Sequence, residues 1–497
     1  MPVIEVVSSG YAGSNGQGSI SVERAHSFSR PYLHKNLIIE FVLCMILLPP
    51  TFYVAHPKIG GYAFVLLLAV FLAYHTLRRE PLAMLCLIVG ASPMIALLRG
   101  TFMPFDTPVV LLGFSLGWAY LVSPTLFRDL WKRKDILYLM GACVVYWAFS
   151  YVRTQDYANN LRALELGLCA AMVFLLNSRR SYLATALVGT GICVITEGLM
   201  LAPYGDRLGM GYVPGMDWEI GNPILIGIPA ALFVVLTLAE GGRWLLLENH
   251  PRWRVILGAG SAACLIFSTS RGSWILAIMG MAMLAIYDPQ SRKAIGTSVA
   301  VGALALVALA NTAALGSVIH YFNNATSADS TIEKRTTGRI DQWRAIPAIL
   351  KDSPFIGVGP GSGRAASRSY ANKGIIFHSL YLQVAAEMGF LGIGLLSILL
   401  FDVIQKDVMH FKKYREIVPL LGTIGFMMMG LSVSAIDLSG GLLLGIGLIG
   451  GCASNLWMIR GHALGTISAL PPEVEADEES FAAISPEVIS RRTESFR

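Results

Sequence analysis

Stretches of about twenty apolar residues recur along almost the whole chain, each long enough to cross roughly 30 Å of hydrocarbon. No other feature limits the fold so strongly. Only helices and closed barrels satisfy their backbone groups in lipid. Strand-type alternation with aromatic girdles is absent, which excludes the outer-membrane barrel. The sequence therefore predicts an all-α polytopic membrane protein. Composition agrees: apolar residues make up 54% of the 497 and charged residues 14%, against roughly 25% charge in soluble domains.

About fourteen spans are expected, near 36–55, 59–77, 82–98, 106–127, 136–152, 161–177, 181–202, 220–239, 254–270, 272–288, 294–315, 379–401, 417–435 and 439–459. Residues 1–35 form a polar cytoplasmic segment. The bundle occupies 36–315 and 379–460, interrupted by one large loop at 316–378 that should contain short helices. The acidic, Pro- and Ser-rich tail 461–497 reads as a disordered cytoplasmic extension. The first apolar run starts only at about Leu37, so a cleavable signal is not expected. All seven cysteines fall in apolar segments and read as small buried hydrophobes.

Alternate short loops carry seventeen and five Lys or Arg. The basic set includes Arg128, Lys132, Arg179, Arg243, Arg292, Lys406 and Lys412. The sparse set is Lys58, Arg99, Arg153, Arg162 and Arg207. Cytoplasmic loops are the basic ones, so both termini are placed inside and loop 316–378 outside. That loop holds eight cations, Arg339 and Arg344 among them. Long loops translocate regardless of charge, and an anionic ligand accounts for the excess.

Four groups carry the chemistry. Arg271, in Ser268-Thr269-Ser270-Arg271-Gly272-Ser273-Trp274, falls at the outer end of a span. It either snorkels to the headgroups or clamps an anion, since a guanidinium matches phosphate oxygens. Arg339 begins an amphipathic helix with apolar positions at 340, 343, 346, 349 and 350; Arg344 lies within it. The run Gly357-Val358-Gly359-Pro360-Gly361-Ser362-Gly363 either cradles phosphate through backbone amides or forms a tight turn. It lacks the context of a nucleotide-binding loop. His378, in Ile376-Phe377-His378-Ser379-Leu380-Tyr381-Leu382, sits at the mouth of the next span; it reads either as a plain interfacial histidine or, beside a cationic loop, as a base whose imidazole accepts a hydroxyl proton. Asp217 and Glu219 are spaced to suit a divalent cation, but the pair is isolated and an ordinary solvated loop explains it. Glu197 is an intramembrane carboxylate without a specified role.

The order of these residues resembles the O-antigen ligase and surface polysaccharide polymerase superfamily. The resemblance rests on Ser270-Arg271-Gly272, on Gly338-Arg339 with Trp343 following, and on Pro354-Phe355-Ile356-Gly357-Val358-Gly359-Pro360-Gly361. It continues through His378-Ser379-Leu380-Tyr381-Leu382-Gln383 and Glu387-Met388-Gly389-Phe390-Leu391-Gly392. Arg207-Leu208-Gly209 and Asn222-Pro223 also match, so it covers roughly 200–400. Ser379 stands where that family commonly has asparagine, and fourteen spans exceed its usual dozen or so.

The resemblance implies a GT-C-like inverting glycosyltransferase of the bacterial inner membrane, active at the periplasmic face without metal or other cofactor. The donor would be a polyprenyl-diphosphate-linked glycan and the acceptor a glycan or lipid A-core sugar. Membrane lipids, and export or flippase proteins, are the further partners; nucleic acid is not one. Arg271 and Arg339 would hold the diphosphate and His378 would take the acceptor proton. Arg207, Arg344, Gly359, Gly361 and Tyr381 complete the expected substrate-binding set. A flippase for lipid-linked glycans is the rival reading. It would want its charges along a central cavity, and no internal repeat supports it.

Overall fold

The computed structural model describes residues 32–46, 57–97, 107–154, 157–201, 223–268, 270–309, 339–372, 377–433 and 438–450, with three isolated positions between 310 and 338. Among these residues the regular structure is entirely helical. Four helices are long and apolar enough to cross a membrane: Lys134–Arg153, Arg180–Met200, Ile226–Leu245 and Leu380–Tyr414. The expectation of an all-α polytopic membrane protein holds.

The helices are α1 (Lys35–Ile46), α2 (Pro57–Leu77), α3 (Pro81–Gly90), α4 (Ser92–Leu97), α5 (Thr107–Val122), α6 (Lys134–Thr154), α7 (Tyr157–Asn177), α8 (Arg180–Leu201) and α9 (Pro223–Leu238). They continue with α10 (Pro251–Ser268), α11 (Arg271–Tyr287), α12 (Pro289–Leu309), α13 (Arg339–Asp352), α14 (Gly363–Ala371), α15 (Leu380–Tyr414), α16 (Val418–Ser432) and α17 (Leu438–Gly447). Every expected span has a helix within it. Two boundaries depart from expectation. The span at 82–98 is broken at Ala91 into α3 and α4, because Pro93 has no N–H to continue the ladder. The span at 379–401 runs on to Tyr414 and is sharply kinked at Gly389.

Small residues set the interhelix distances, as is usual in lipid. Where α7 crosses α17, a Cβ on Gly441 would lie 2.7 Å from the Cβ of Cys169, and one on Gly445 2.7 Å from that of Val173. All six described cysteines are buried and unbridged, as the apolar context implied.

One end of the bundle is tied by polar contacts between successive loops. Arg133 Nη2 bonds Asp135 at 2.6 Å, and Lys406 Nζ reaches the same carboxylate at 3.0 Å. Arg180 and His410 converge on Glu416 at 3.1 and 3.2 Å. Glu240 Oε1 accepts from the Ile417 amide at 3.1 Å, while its own amide donates to Asp288 Oδ2 at 2.8 Å. Five of the six basic loops thus meet at one end, as alternating spans require. Burial opposes ionisation of Glu416, but the hydrogen bond from His410 and the charge of Arg180 outweigh it and hold the carboxyl below its usual range. The assignment of this end to the cytoplasm rests on the Lys and Arg count.

At the other end a second, smaller core forms. Ala345, Ile346 and Ile349 of α13, Ala366 of α14 and Phe377 pack on Ala385 and Ala386 of α15. The expected amphipathic helix is therefore real and begins at Arg339. Its apolar stripe is narrower than expected: Trp343 is 45% exposed. Tyr370 Oη donates to Asp352 at 2.8 Å and links the ends of α13 and α14.

Candidate active site

The site is built around the break in α15. Gly389 adopts φ 60°, ψ −154°, a combination essentially reserved for glycine. The break frees two helical carbonyls and two amides, which must find partners inside a membrane protein. The segment 354–359, which leads into the glycine-rich run, supplies all four. Val358 N donates to Ala386 O at 2.8 Å and Gly359 N to Glu387 O at 2.9 Å. In return Phe390 N donates to Pro354 O at 2.8 Å and Leu391 N to Phe355 O at 3.1 Å. The close fit needs Gly389: a Cβ there would lie 2.5 Å from Pro354 O. Residues 354–359 are thereby stitched into the span as a replacement for its missing turn.

Glu387 completes the joint. Its side chain is buried, and both oxygens are used. Oε2 accepts from Gly361 N at 2.8 Å and from the Tyr146 hydroxyl of α6; Oε1 accepts from Gly363 N at 3.0 Å and Gln383 Nε2 at 3.2 Å. Gly363 opens α14, so the carboxylate also caps that helix's electropositive end. Of the two readings of the run, the hydrogen bonds describe the tight turn. The N–H groups of Gly359 and Gly361 point at Glu387, and the run is a turn clamped to α15 with those amides already occupied.

His378 is fixed from both sides. Phe377 before it is fully buried in the smaller core. Ser379 after it caps α15, accepting from Leu382 N at 3.5 Å and donating to Gly430 O at 3.1 Å. Leu380 N also donates to Val433 O at 2.9 Å. These bonds pin the start of α15 to the end of α16, and His378 itself is half-buried at the mouth. Ser379, where the resembling family commonly has asparagine, does a cap's work.

Arg271 is the first residue of α11 and is half-buried. The sharp connection from α10 is set by serines. Ser273 Oγ donates to Ser270 Oγ at 2.8 Å, Ser268 Oγ to Leu265 O at 2.8 Å, and Ser270 N to Ser268 Oγ at 3.3 Å. Trp274 Nε1 adds a bond to Leu265 O at 2.9 Å. Within the bundle Leu276 of α11 packs on Gly425 of α16, about 8 Å along the helix from Arg271. The start of α11 and the end of α16 therefore share one end of the molecule, and Arg271 and His378 both emerge there.

The other expected residues are placed unevenly. Arg339 opens α13, whose buried face touches Phe377, and Arg344 is exposed on the same helix. Tyr381 turns into the bundle, its hydroxyl donating to Met427 O at 2.9 Å. Arg207, Asp217 and Glu219 lie outside the described residues. Glu197 is buried, with no hydrogen-bond partner for either oxygen among the described residues. No described contact joins it to this site. Among the described residues no group of three or more His, Cys, Asp or Glu is arranged to hold a metal ion.

Sequence reasoning missed Tyr146, Gln383 and the clamping role of Glu387. The signal was present: three polar side chains within apolar runs, with Gln383 and Glu387 four apart on one helical face. Arg153, at the end of α6, was counted only as an outer-loop cation. Its guanidinium lies against Gly359, where a Cβ would come within 2.5 Å of Nη1.

Fold and site together define an all-helical membrane protein in which the turn 354–363 is bonded to an interrupted span and His378 sits at the start of that span. Comparison with known proteins bears on which class this is. Residues 256–397 match the family model described as O-antigen ligase. The chain is also 27% identical over 202 residues to the exopolysaccharide production protein ExoQ of Rhizobium meliloti (strain 1021), covering 37% of this chain and 43% of that protein. The match thus spans less than half of the relative's length. Both findings support the resemblance to the O-antigen ligase and polysaccharide polymerase superfamily.

Proposed function

We propose that the protein is an inverting glycosyltransferase that moves glycan from a polyprenyl-diphosphate carrier to an acceptor sugar hydroxyl at the periplasmic face. The observation that carries this reading is the coincidence of the O-antigen ligase match, 256–397, with the stretch that holds Arg271, the clamped turn and His378. In the step proposed, the acceptor oxygen attacks the anomeric carbon and its proton passes to the His378 imidazole. The bond from that carbon to the diphosphate oxygen breaks, and the electron pair leaves with the diphosphate. Charge grows on the leaving group, where Arg271 and Arg339 are assigned to meet it. Arg207 and Arg344 are assigned to substrate. Gly359 and Gly361 contribute by shaping the turn, and Tyr381 by fixing the start of α15.

The test is glycan transfer in membranes with a polyprenyl-diphosphate-linked repeat as donor and a chelator present. His378→Ala should insert normally and lose transfer, while the parent stays active with chelator. Undiminished transfer by the variant removes His378 from catalysis. Transport without any transfer by the parent establishes the flippase instead.

A further inference from the structure

Arg153 is the outermost charged residue of α6, and it opposes the charge asymmetry of the chain: it is one of only five Lys or Arg in the sparse set of short loops. Its side chain is exposed and makes no ion pair among the described residues. Yet its position is well determined. Two turns earlier on the same helix, Tyr146 bonds Glu387. Glu387 grips the amides of Gly361 and Gly363, and its carbonyl accepts from Gly359. The guanidinium of Arg153 then rests on Gly359, which has φ 97° and no side chain to obstruct it. One helix thus contributes both the hydroxyl that helps lock the turn and the cation that lies on it. The same turn is bonded to the half-helix that follows His378.

A guanidinium seated this way, exposed and without a counter-charge among the described residues, suits phosphate oxygens. We propose that Arg153 is a further anion-binding residue of this site, taking a phosphate oxygen of the diphosphate-linked donor. The inference rests on the transferase reading above and adds a residue outside the matched 256–397 stretch. The same chemistry describes a phospholipid headgroup, and the experiment separates the two sources.

Binding of undecaprenyl diphosphate to the purified full chain is measured in detergent free of phospholipid, for the parent, Arg153→Gln and Arg153→Lys. Binding to vesicles containing phosphatidylglycerol is measured alongside. The Gln variant should weaken diphosphate binding about tenfold. Lys, which keeps the charge but loses the fork, should recover part of it. In transfer assays kcat/KM for the donor should fall by about the same factor. Because Arg153 is exposed, the Gln variant should unfold at the parent's temperature. Gly359→Ala, which displaces the guanidinium, should reproduce the binding loss. Equal diphosphate binding by parent and Gln variant overturns the inference and leaves the transferase reading standing. Loss confined to the phosphatidylglycerol vesicles overturns it in favour of a headgroup anchor. Absence of diphosphate binding by the parent overturns the inference and the donor reading together.

Discussion

Removing the Glu387 carboxylate should unlatch the glycine turn while leaving the bundle folded. In Glu387→Ala the amides of Gly361 and Gly363 lose their acceptor, and the Tyr146 hydroxyl and Gln383 lose theirs too. A buried donor left unpaired costs about 1–3 kcal/mol, so the two amides alone destabilise the closed turn by about 2–6 kcal/mol. Glu387→Gln retains one acceptor oxygen. Its amide nitrogen must face either Gly361 N–H or Gly363 N–H, a cost of about 1–3 kcal/mol by the same reasoning. The turn can open locally, because its own contacts are few compared with those of the spans. At 1.36 kcal/mol per decade, a 2 kcal/mol loss speeds amide exchange about thirtyfold. Hydrogen exchange of peptides covering 354–363, read by mass spectrometry in detergent, should therefore accelerate in the order parent, Gln, Ala. Peptides from α8 and α9 should not change. Unchanged exchange of 357–363 in the Ala variant would refute the clamp.

The remaining predictions address the kink and the opposite end. Gly389→Ala meets both a glycine-only backbone conformation and a Cβ contact at 2.5 Å with Pro354 O. A cost of about 1–3 kcal/mol from strain alone should lower the thermal midpoint in detergent by a few degrees, and an unchanged midpoint would contradict the geometry. Asp135→Asn leaves the buried Arg133 without its carboxylate, while Lys406 keeps Asp402 at 2.6 Å. It should cost about 3–5 kcal/mol by denaturant unfolding, well beyond the effect of Lys406→Met. Glu416, whose carboxyl is held low in the folded state, contributes stability that is fully present above its unfolded value of about 4.3. That contribution is lost as pH falls through the lower folded value. Glu416→Gln should flatten this acid limb in thermal unfolding between pH 7 and 3, and an identical limb would show that other groups control it.

The spans were legible because they depend on local composition. Each of the fourteen apolar runs contains a described helix, and the basic loops they connect meet at one end. The start of α13 at Arg339, the placement of Arg271 at a span edge and that of His378 at the mouth of the next span were legible for the same reason. The kink at Gly389 was not. Glu387-Met388-Gly389-Phe390 reads as the interior of a continuing span, and its interruption is stabilised by Pro354, Phe355, Val358 and Gly359, some thirty residues upstream. No local pattern reports that exchange of hydrogen bonds. The glycine run was ambiguous for a related reason. Glycines with positive φ suit both a phosphate cradle and a tight turn. The choice was made by a carboxylate in a different segment.

That choice also explains how the segment 354–363 is held against the span. A loop held only by α13 and α14 would rest on the few apolar side chains of the smaller core, which gives little resistance to opening. Breaking α15 changes the balance. In lipid the four backbone groups exposed at Gly389 have no water to bond, so the span is satisfied only while 354–359 stays in place. The loop and the span consequently stabilise one another. Detaching the turn costs not just its own bonds but those of an interrupted helix. The same coupling fixes the half-helix 380–388, and with it the position of His378 relative to the turn. A conventional uninterrupted span would have satisfied its own backbone and left the loop free, and the histidine would have been positioned by the cap at Ser379 alone.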